Sequence, residues 1–196
     1  MSADTEHFSR NNYWIMRHGQ SEANVAGIIV SDPQKGVSKY GLSELGVSQV
    51  KASTMSSALK GKSVHIYSSD FLRAQQTAQL ALEVLNPLAT LTYSPLLRER
   101  YFGELDGGDD SQYQRVWSHD ALDANHKYYG VESVNGVAER IRRLINSLEQ
   151  KHTNDTILLV AHGDVLQIMQ TVFEQRPTSE HRLVKHLDVA EIRQLR

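Results

Sequence analysis

Three short apolar runs in this sequence each stop abruptly at polar, chemically capable residues. Tyr13-Trp14-Ile15-Met16 ends at Arg17-His18-Gly19, Val64-His65-Ile66-Tyr67 at Ser68-Ser69-Asp70, and Thr156 to Ala161 at His162-Gly163-Asp164. Apolar runs of this length read as buried strands. Leu91-Thr92-Tyr93 is a weaker fourth candidate, and Val189 to Leu195 a candidate edge strand. Segments with apolar residues at helical spacing lie between them: Ser43 to Lys60, Phe71 to Leu85, Ser133 to Glu149 and Val165 to Phe173. Strands alternating with helices predict an α/β fold, three-layer α/β/α with a mostly parallel central sheet. The 196 residues suit one domain, 1–196, with residues 1–11 expected to form a loose N-terminal tail.

In open α/β sheets, ligands gather at the carboxyl ends of the strands. Here those ends carry Arg17 and His18, then Arg73 just beyond Ser68-Ser69-Asp70, then His162 and Gly163. Two guanidiniums and two imidazoles converging on one pocket would match a phosphate dianion, since arginine presents a planar fork to phosphate oxygens. A neutral imidazole is a competent nucleophile. Arginines can supply the charge stabilisation that Mg²⁺ supplies elsewhere, so neither a metal nor another cofactor is expected. The leaving oxygen still needs a proton, and Glu99 is the candidate donor. Its pKa should be raised by the like charge of bound phosphate.

Composition narrows the alternatives. The chain has no cysteine, which removes disulfides, thiolate nucleophiles and Cys-ligated zinc. A formal net charge of -2 creates no long-range positive field for nucleic acid or an anionic membrane, so neither is an expected partner. No apolar run approaches the ~20 residues of a membrane span. Met1 to Asn12 is polar, so no secretory signal is expected there, and a cytoplasmic location is the default. The other histidines, His119, His126, His152, His181 and His186, lack the paired spacing of a zinc site. His181 and His186 read as loop or surface residues, Arg140-Arg142-Arg143 as the wet face of a helix, and Gly107 to Asp110 as a turn.

The sequence resembles the histidine phosphatase superfamily, also called the phosphoglycerate mutase-like family. Arg17-His18-Gly19-Gln20-Ser21-Glu22-Ala23-Asn24 is similar to its R-H-G-x-S-x-x-N, and Ser68-Ser69 through Arg73 to Thr77-Ala78 to its S-S-x-x-x-R-x-x-x-T-A. Leu97-Arg98-Glu99 through Gly103 to Gly107 resembles L-x-E-x-x-x-G-x-x-x-G, and Leu159-Val160-Ala161-His162-Gly163 is similar to the family's last motif. Leu42-Ser43 to Gly46 resembles the L-[ST]-x-x-G that opens the first helix, and Gly130 to Ser133 approximates G-E-S with Val131 inserted.

The resemblance implies a phosphoglycerate mutase-like fold. It implies that His18 is phosphorylated, that Arg17, Arg73 and His162 hold the transferring phosphoryl group, and that Glu99 donates the proton and then activates water. Asn24 would bind phosphoryl oxygens, Gly163 would offer its backbone N–H, and Ser21 would be a substrate or loop contact. The implied activity is a metal-independent phosphomonoester hydrolase (a phosphatase of branch 1 type) acting on a small phosphorylated metabolite. Cofactor-dependent phosphoglycerate mutase is the first alternative. Phosphohistidine or phosphoprotein phosphatase is the second, and a non-catalytic phosphate-binding scaffold the third. Departures from the mutase pattern favour hydrolysis: the stretch from Glu99 to Gly130 is short, Phe102 stands where mutases carry tyrosine, Asp110 where they carry lysine, and Ser31 where they carry glycine. Arg98, Arg100 and Arg115 are expected to add charge at the pocket mouth, with Tyr101, Tyr113 and Trp117 stacking on the substrate. Oligomeric state is left open, a homodimer being one option.

Overall fold

The computed structural model describes residues 9–85 and 89–195. Within these bounds the elements follow the sequence periodicity closely. Strand β1 (Asn12–Arg17) leads through short helices α1 (Glu22–Ala26) and α2 (Pro33–Gly36) to α3 (Glu44–Ser56). Then come β2 (His65–Ser68), α4 (Leu72–Leu85), β3 (Thr90–Tyr93), α5 (Tyr113–Asp120), α6 (Val134–Lys151), β4 (Thr156–Ala161), α7 (Gly163–Phe173) and β5 (Ile192–Gln194). The sheet order is β3-β2-β4-β1-β5. The first four strands are parallel, and β5 runs antiparallel along β1 as the expected edge strand.

Strand side chains alternate between two cores, as the two-residue period of a strand requires. Tyr13, Ile15, Ile157, Leu159 and Ala161 face one way and pack with α6 and α7. Met16, Ile66, Leu158 and Val160 face the other way, onto α3 and α4. Helix α6 shows the cause on its own face: Val134, Val137, Ala138, Ile141, Leu144, Ile145 and Leu148 recur at i, i+3, i+4 and i+7, and all are buried. Deleting one of these large side chains, as in Ile141→Ala, should cost about 2–5 kcal/mol. A third cluster of Ile29, Phe102, Leu105, Val116 and Val131 supports the loops above the strands' carboxyl ends.

Register delivers the site. Arg17 pairs with Ala161, so His18 and His162 leave neighbouring strands side by side, their rings 5.2 Å apart. The loop carrying His18 is held down by backbone contact. A Cβ on Gly46 would lie 2.0 Å from the Gln20 carbonyl oxygen, and one on Gly19 would lie 2.6 Å from that of Gly46. Only glycine permits α3 to start this close. Residues 1–8 of the expected loose tail, 1–11, lie outside the described residues, and Asn11 at its end belongs to the fold. Asn11 is 5% exposed, because its side chain bonds the His152 carbonyl, the Asp155 N–H and Glu149.

Candidate active site

A pocket of about 260 Å³ opens at the carboxyl ends of β1, β2 and β4. His18, Arg17, Arg73, Glu99, Gly163, Ser21 and Asn24 all line it, and His162 lies against it beside Glu99 and His18. The residues expected to carry the chemistry, His18, Arg17, Arg73, Glu99 and His162, together with Asn24, Ser21 and Gly163, therefore meet in one place.

His18 is 3% exposed. Its Nδ1 lies 2.8 Å from the Gly19 carbonyl, which can only accept, so the ring proton sits on Nδ1 and Nε2 keeps its lone pair. Burial, and then the charges of Arg73 and Arg17, hold the imidazole well below the usual histidine pKa, hence neutral. Arg73, in the first turn of α4, donates from Nε to that same Nε2 at 3.2 Å and from Nη2 to the Val30 carbonyl at 3.0 Å. Thr77, one turn on, accepts from the Gly19 N–H and donates to the Arg73 carbonyl, tying the His18 loop to α4.

His162 is fully buried and likewise held neutral, by burial and then by Arg73. The hydroxyl of Ser69 accepts from the Phe71 N–H and lies 2.9 Å from His162 Nε2. His162 Nδ1 faces Glu99 3.9 Å away, and a Ser69 hydroxyl turned to donate to Nε2 would put the ring proton on Nδ1.

Glu99 follows β3 on a short 3₁₀ turn, its side chain 9% exposed. Burial outweighs the pull of Arg73 and pushes its pKa up to about 7. The cause differs from the sequence expectation, which relied on bound phosphate; here the fold itself does it. The segment is braced on both sides. Arg98 grips Asp70 bidentately at 2.7 and 2.6 Å, and Arg140 binds the Leu96 carbonyl at 2.6 Å and Glu132 at 2.8 Å.

Among the described residues, five buried side-chain polar atoms have no hydrogen-bond partner, and three of them belong to this cluster: Arg17 Nε, Arg73 Nη1 and His162 Nδ1. Buried donors are nearly always paired, and leaving one unpaired costs about 1–3 kcal/mol. Unpartnered polar atoms grouped around His18 Nε2, which meets only Arg73 Nε, can receive an anion.

Residues 13–196 match the sequence profile of the histidine phosphatase superfamily (branch 1). The chain belongs to that superfamily. It is 28% identical over 166 residues to a phosphoglycerate mutase of Schizosaccharomyces pombe, covering 79% of this chain and 75% of that one. It is equally 28% identical over 167 residues to an adenosylcobalamin/alpha-ribazole phosphatase of Salmonella typhimurium, covering 80% and 76%. The solved mycobacterial glucosyl-3-phosphoglycerate phosphatase superposes with a TM-score of 0.77 at 25% identity, covering 93% of this chain and 88% of that one. Both phosphatases and mutases are thus among its similar proteins, and the fold matches theirs.

Within this histidine phosphatase frame Ser21 keeps its place as a loop contact at the pocket, and the expectations for several arginines, Tyr101 and His181 need correcting. Ser21 lines the pocket but is fully buried and caps α1: its hydroxyl accepts from the Asn24 N–H, and Asn24 Oδ1 in turn accepts from the Ser21 N–H and hydroxyl. The pair is a capping box. Asn24 can therefore offer a ligand only its Nδ2. Arg98, Arg100 and Arg115 do not line the mouth: Arg98 is spent on Asp70, Arg115 lies against Tyr129, and Arg100 is fully buried on Asp120 and Asp164. Tyr101 is exposed outside the pocket. Arg140 is 8% exposed rather than on a wet face, and His181 is fully buried beside Asp120 and Asp164. Asp106 is a structural acceptor for the Ser31 and Asp32 N–H groups and for Lys35.

Sequence reasoning missed Arg182 and His186. Both line the pocket, Arg182 lying 3.6 Å over the Trp117 ring and His186 holding Arg17 Nη1 at 2.8 Å. They arrive on a C-terminal segment without periodicity; the His162-Gly163 turn, where a Cβ on Gly163 would meet His186 at 3.2 Å, is the one local trace of that approach. Among the described residues, no helix is long and apolar enough to cross a membrane.

Proposed function

We propose that the protein is a metal-independent phosphomonoester hydrolase working through a phosphohistidine at His18. The observation that carries this reading is the set of unpartnered polar atoms, Arg17 Nε, Arg73 Nη1 and His162 Nδ1, around His18 Nε2, whose lone pair is engaged only by Arg73 Nε, a group that would turn to the phosphoryl oxygens before attack. In the first step Nε2 attacks phosphorus, the bond from phosphorus to the ester oxygen breaks, and Glu99 gives that oxygen its proton. In the second step the Glu99 carboxylate takes a proton from water, the hydroxide oxygen attacks phosphorus, and the P–N bond breaks. Neutral His18, protonated Glu99 and inorganic phosphate result. Arg17, Arg73, His162 and the Asn24 amide would hold the equatorial oxygens, and Gly163 would present its N–H from the start of α7. A pKa near 7 suits a group that must be acid in one step and base in the next.

The substrate class is a small phosphorylated metabolite. The pocket's 260 Å³ falls below the roughly 300–1,000 Å³ of drug-sized sites. Tyr113 and Trp117, stacked with ring centroids 5.2 Å apart, form an outer wall together with Arg182. Two features favour hydrolysis over mutase chemistry. Phe102 is fully buried against Tyr113 and offers no hydroxyl, and Asp110 lines the pocket with a carboxylate, which would repel the acid group of a phosphoglycerate. The similarity to a phosphoglycerate mutase makes that activity the second reading. Turnover of p-nitrophenyl phosphate in EDTA should exceed isomerisation of 3-phosphoglycerate in the presence of 2,3-bisphosphoglycerate. Mutase turnover far above hydrolysis would overturn the proposal.

A further inference from the structure

A second convergence of histidines lies at the opposite end of the sheet. His65 is the first residue of β2, His152 caps the C-terminus of α6, and Asp155 immediately precedes β4. The rings of His65 and His152 are 4.3 Å apart. His152 Nδ1 lies 2.9 Å and His65 Nε2 3.4 Å from the same Asp155 carboxylate oxygen, and one ligand atom from each residue falls within 4.8 Å of the others. We infer that these three residues form a binding site for one divalent transition-metal ion of the zinc type. The ligands would be His65 Nε2, His152 Nδ1 and an Asp155 carboxylate oxygen, with water in the fourth position.

Ligand spacing supports this directly. Bonds of 2.0–2.1 Å in a tetrahedral arrangement place ligand atoms about 3.3 Å apart, so the two nitrogen-to-oxygen separations need to change by only a few tenths of an ångström. The outer nitrogens are equally well provided for. His65 Nδ1 is 2.9 Å from the Thr90 hydroxyl, and His152 Nε2 is 2.8 Å from the Tyr67 hydroxyl. Lys151 donates to that Tyr67 oxygen at 3.0 Å, leaving it a further lone pair for an Nε2–H. Metal-bound histidines almost always donate their other N–H to an oxygen in this way, which fixes the tautomer and aims the free lone pair at the ion.

The ligands are also preorganised. Asn11 staples the loop between α6 and β4 from both sides, donating to the His152 carbonyl and accepting from the Asp155 N–H. The site is open on one side, with the side chains of His65 and Asp155 27% and 40% exposed and that of His152 7%. Two imidazoles and one carboxylate suit zinc and its neighbours in softness and leave magnesium poorly served. An ion here would clamp β2, α6 and β4 together without touching the phosphoryl pocket.

The test uses tag-free full-length protein stripped with EDTA. Cobalt(II) is added as a spectroscopic probe and then displaced by zinc. Wild type and His18→Ala should each take up one ion per chain with the intense visible absorption of a four-coordinate centre, and zinc should raise the thermal midpoint. In His65→Ala that affinity should fall about tenfold or more, while metal-free p-nitrophenyl phosphate turnover stays at the wild-type value, which shows that the variant is folded. Equal binding by His65→Ala, loss of binding in His18→Ala, or no uptake by wild type would each overturn the assignment.

Discussion

Two buried charge clusters sit within a few residues of each other and are built on opposite rules. Around Arg100 every charge is matched. Its guanidinium donates to Asp120 at 2.7 and 2.8 Å, to Asp164 at 3.2 Å and to the Glu132 carbonyl at 2.7 Å. Asp120 also meets His126 at 2.6 Å, and Asp164 meets Trp117 at 3.1 Å. Burial alone would raise the Asp164 pKa, but His181, Arg100 and Arg182 more than offset it and keep the carboxylate ionised. Around His18 the cations outnumber their partners. Arg17 and Arg73 share only Glu99, 3.9 Å from Arg73, and burial favours the neutral form of that acid. The first cluster spends its charge on holding loops together. The second keeps donors in reserve, at a cost in stability, and such reserve marks a site rather than a scaffold.

The contrast is tested most strongly by a pair of arginine substitutions. Arg100→Met removes one partner of a buried, charge-balanced network, strands Asp120 and Asp164, and should lower stability by about 3–5 kcal/mol in urea denaturation. Arg73→Met removes a charge that lacks full compensation. It should reduce kcat/KM by about 10²–10³-fold while leaving the unfolding midpoint unchanged or raised. If the two variants exchanged these phenotypes, the distinction between the clusters would collapse.

Glu99→Gln comes next in size. Loss of the proton donor should lower kcat by about 10²–10³-fold for a substrate with a poor leaving group, with phosphate affinity retained. The wild-type rate should fall as pH rises through about 7, because the protonated acid disappears. The variant should lack that limb. Stability follows the same sign. The folded state holds a proton on Glu99 between the ordinary carboxylate pKa and about 7, so wild type loses stability as pH rises through that window, and the glutamine variant does not. An unchanged alkaline limb in the variant would place the titrating group elsewhere.

Ser21→Ala should have the smallest effect. As an N-cap, its loss costs about 1 kcal/mol of stability. Asn24→Ala removes the other half of the capping box together with the amide that faces the pocket, so it should add a rise in KM that Ser21→Ala lacks. Matching KM values for the two would remove Asn24 from the ligand's surroundings.

What could be read from sequence follows the same division. The positions of His18, Arg73 and His162 were legible because parallel strands export whatever follows their last apolar residue to one edge, and Arg17-His18-Gly19, Ser68-Ser69-Asp70 and His162-Gly163 stand there. The fates of Arg98, Arg100 and Arg115 were not. Their nearness to Glu99 in sequence suggested the pocket mouth, but the direction of each side chain is set by acceptors distant in the chain: Asp70 for Arg98, Asp120 and Asp164 for Arg100. Arg182 and His186 escaped notice for the converse reason, since nothing local in an aperiodic segment tells of a contact with Trp117 or Arg17. The wall formed by Tyr113 and Trp117 lies on α5, a short helix that the apolar pattern did not announce.

The central claim concerns one atom, His18 Nε2. Brief incubation with a ³²P-labelled phosphomonoester, followed by quenching and denaturing electrophoresis, measures it directly. Wild-type protein should carry label that is lost in acid and stable in alkali, and His18→Ala should carry none. Label of equal intensity in His18→Ala, or acid-stable label in wild type, would contradict it.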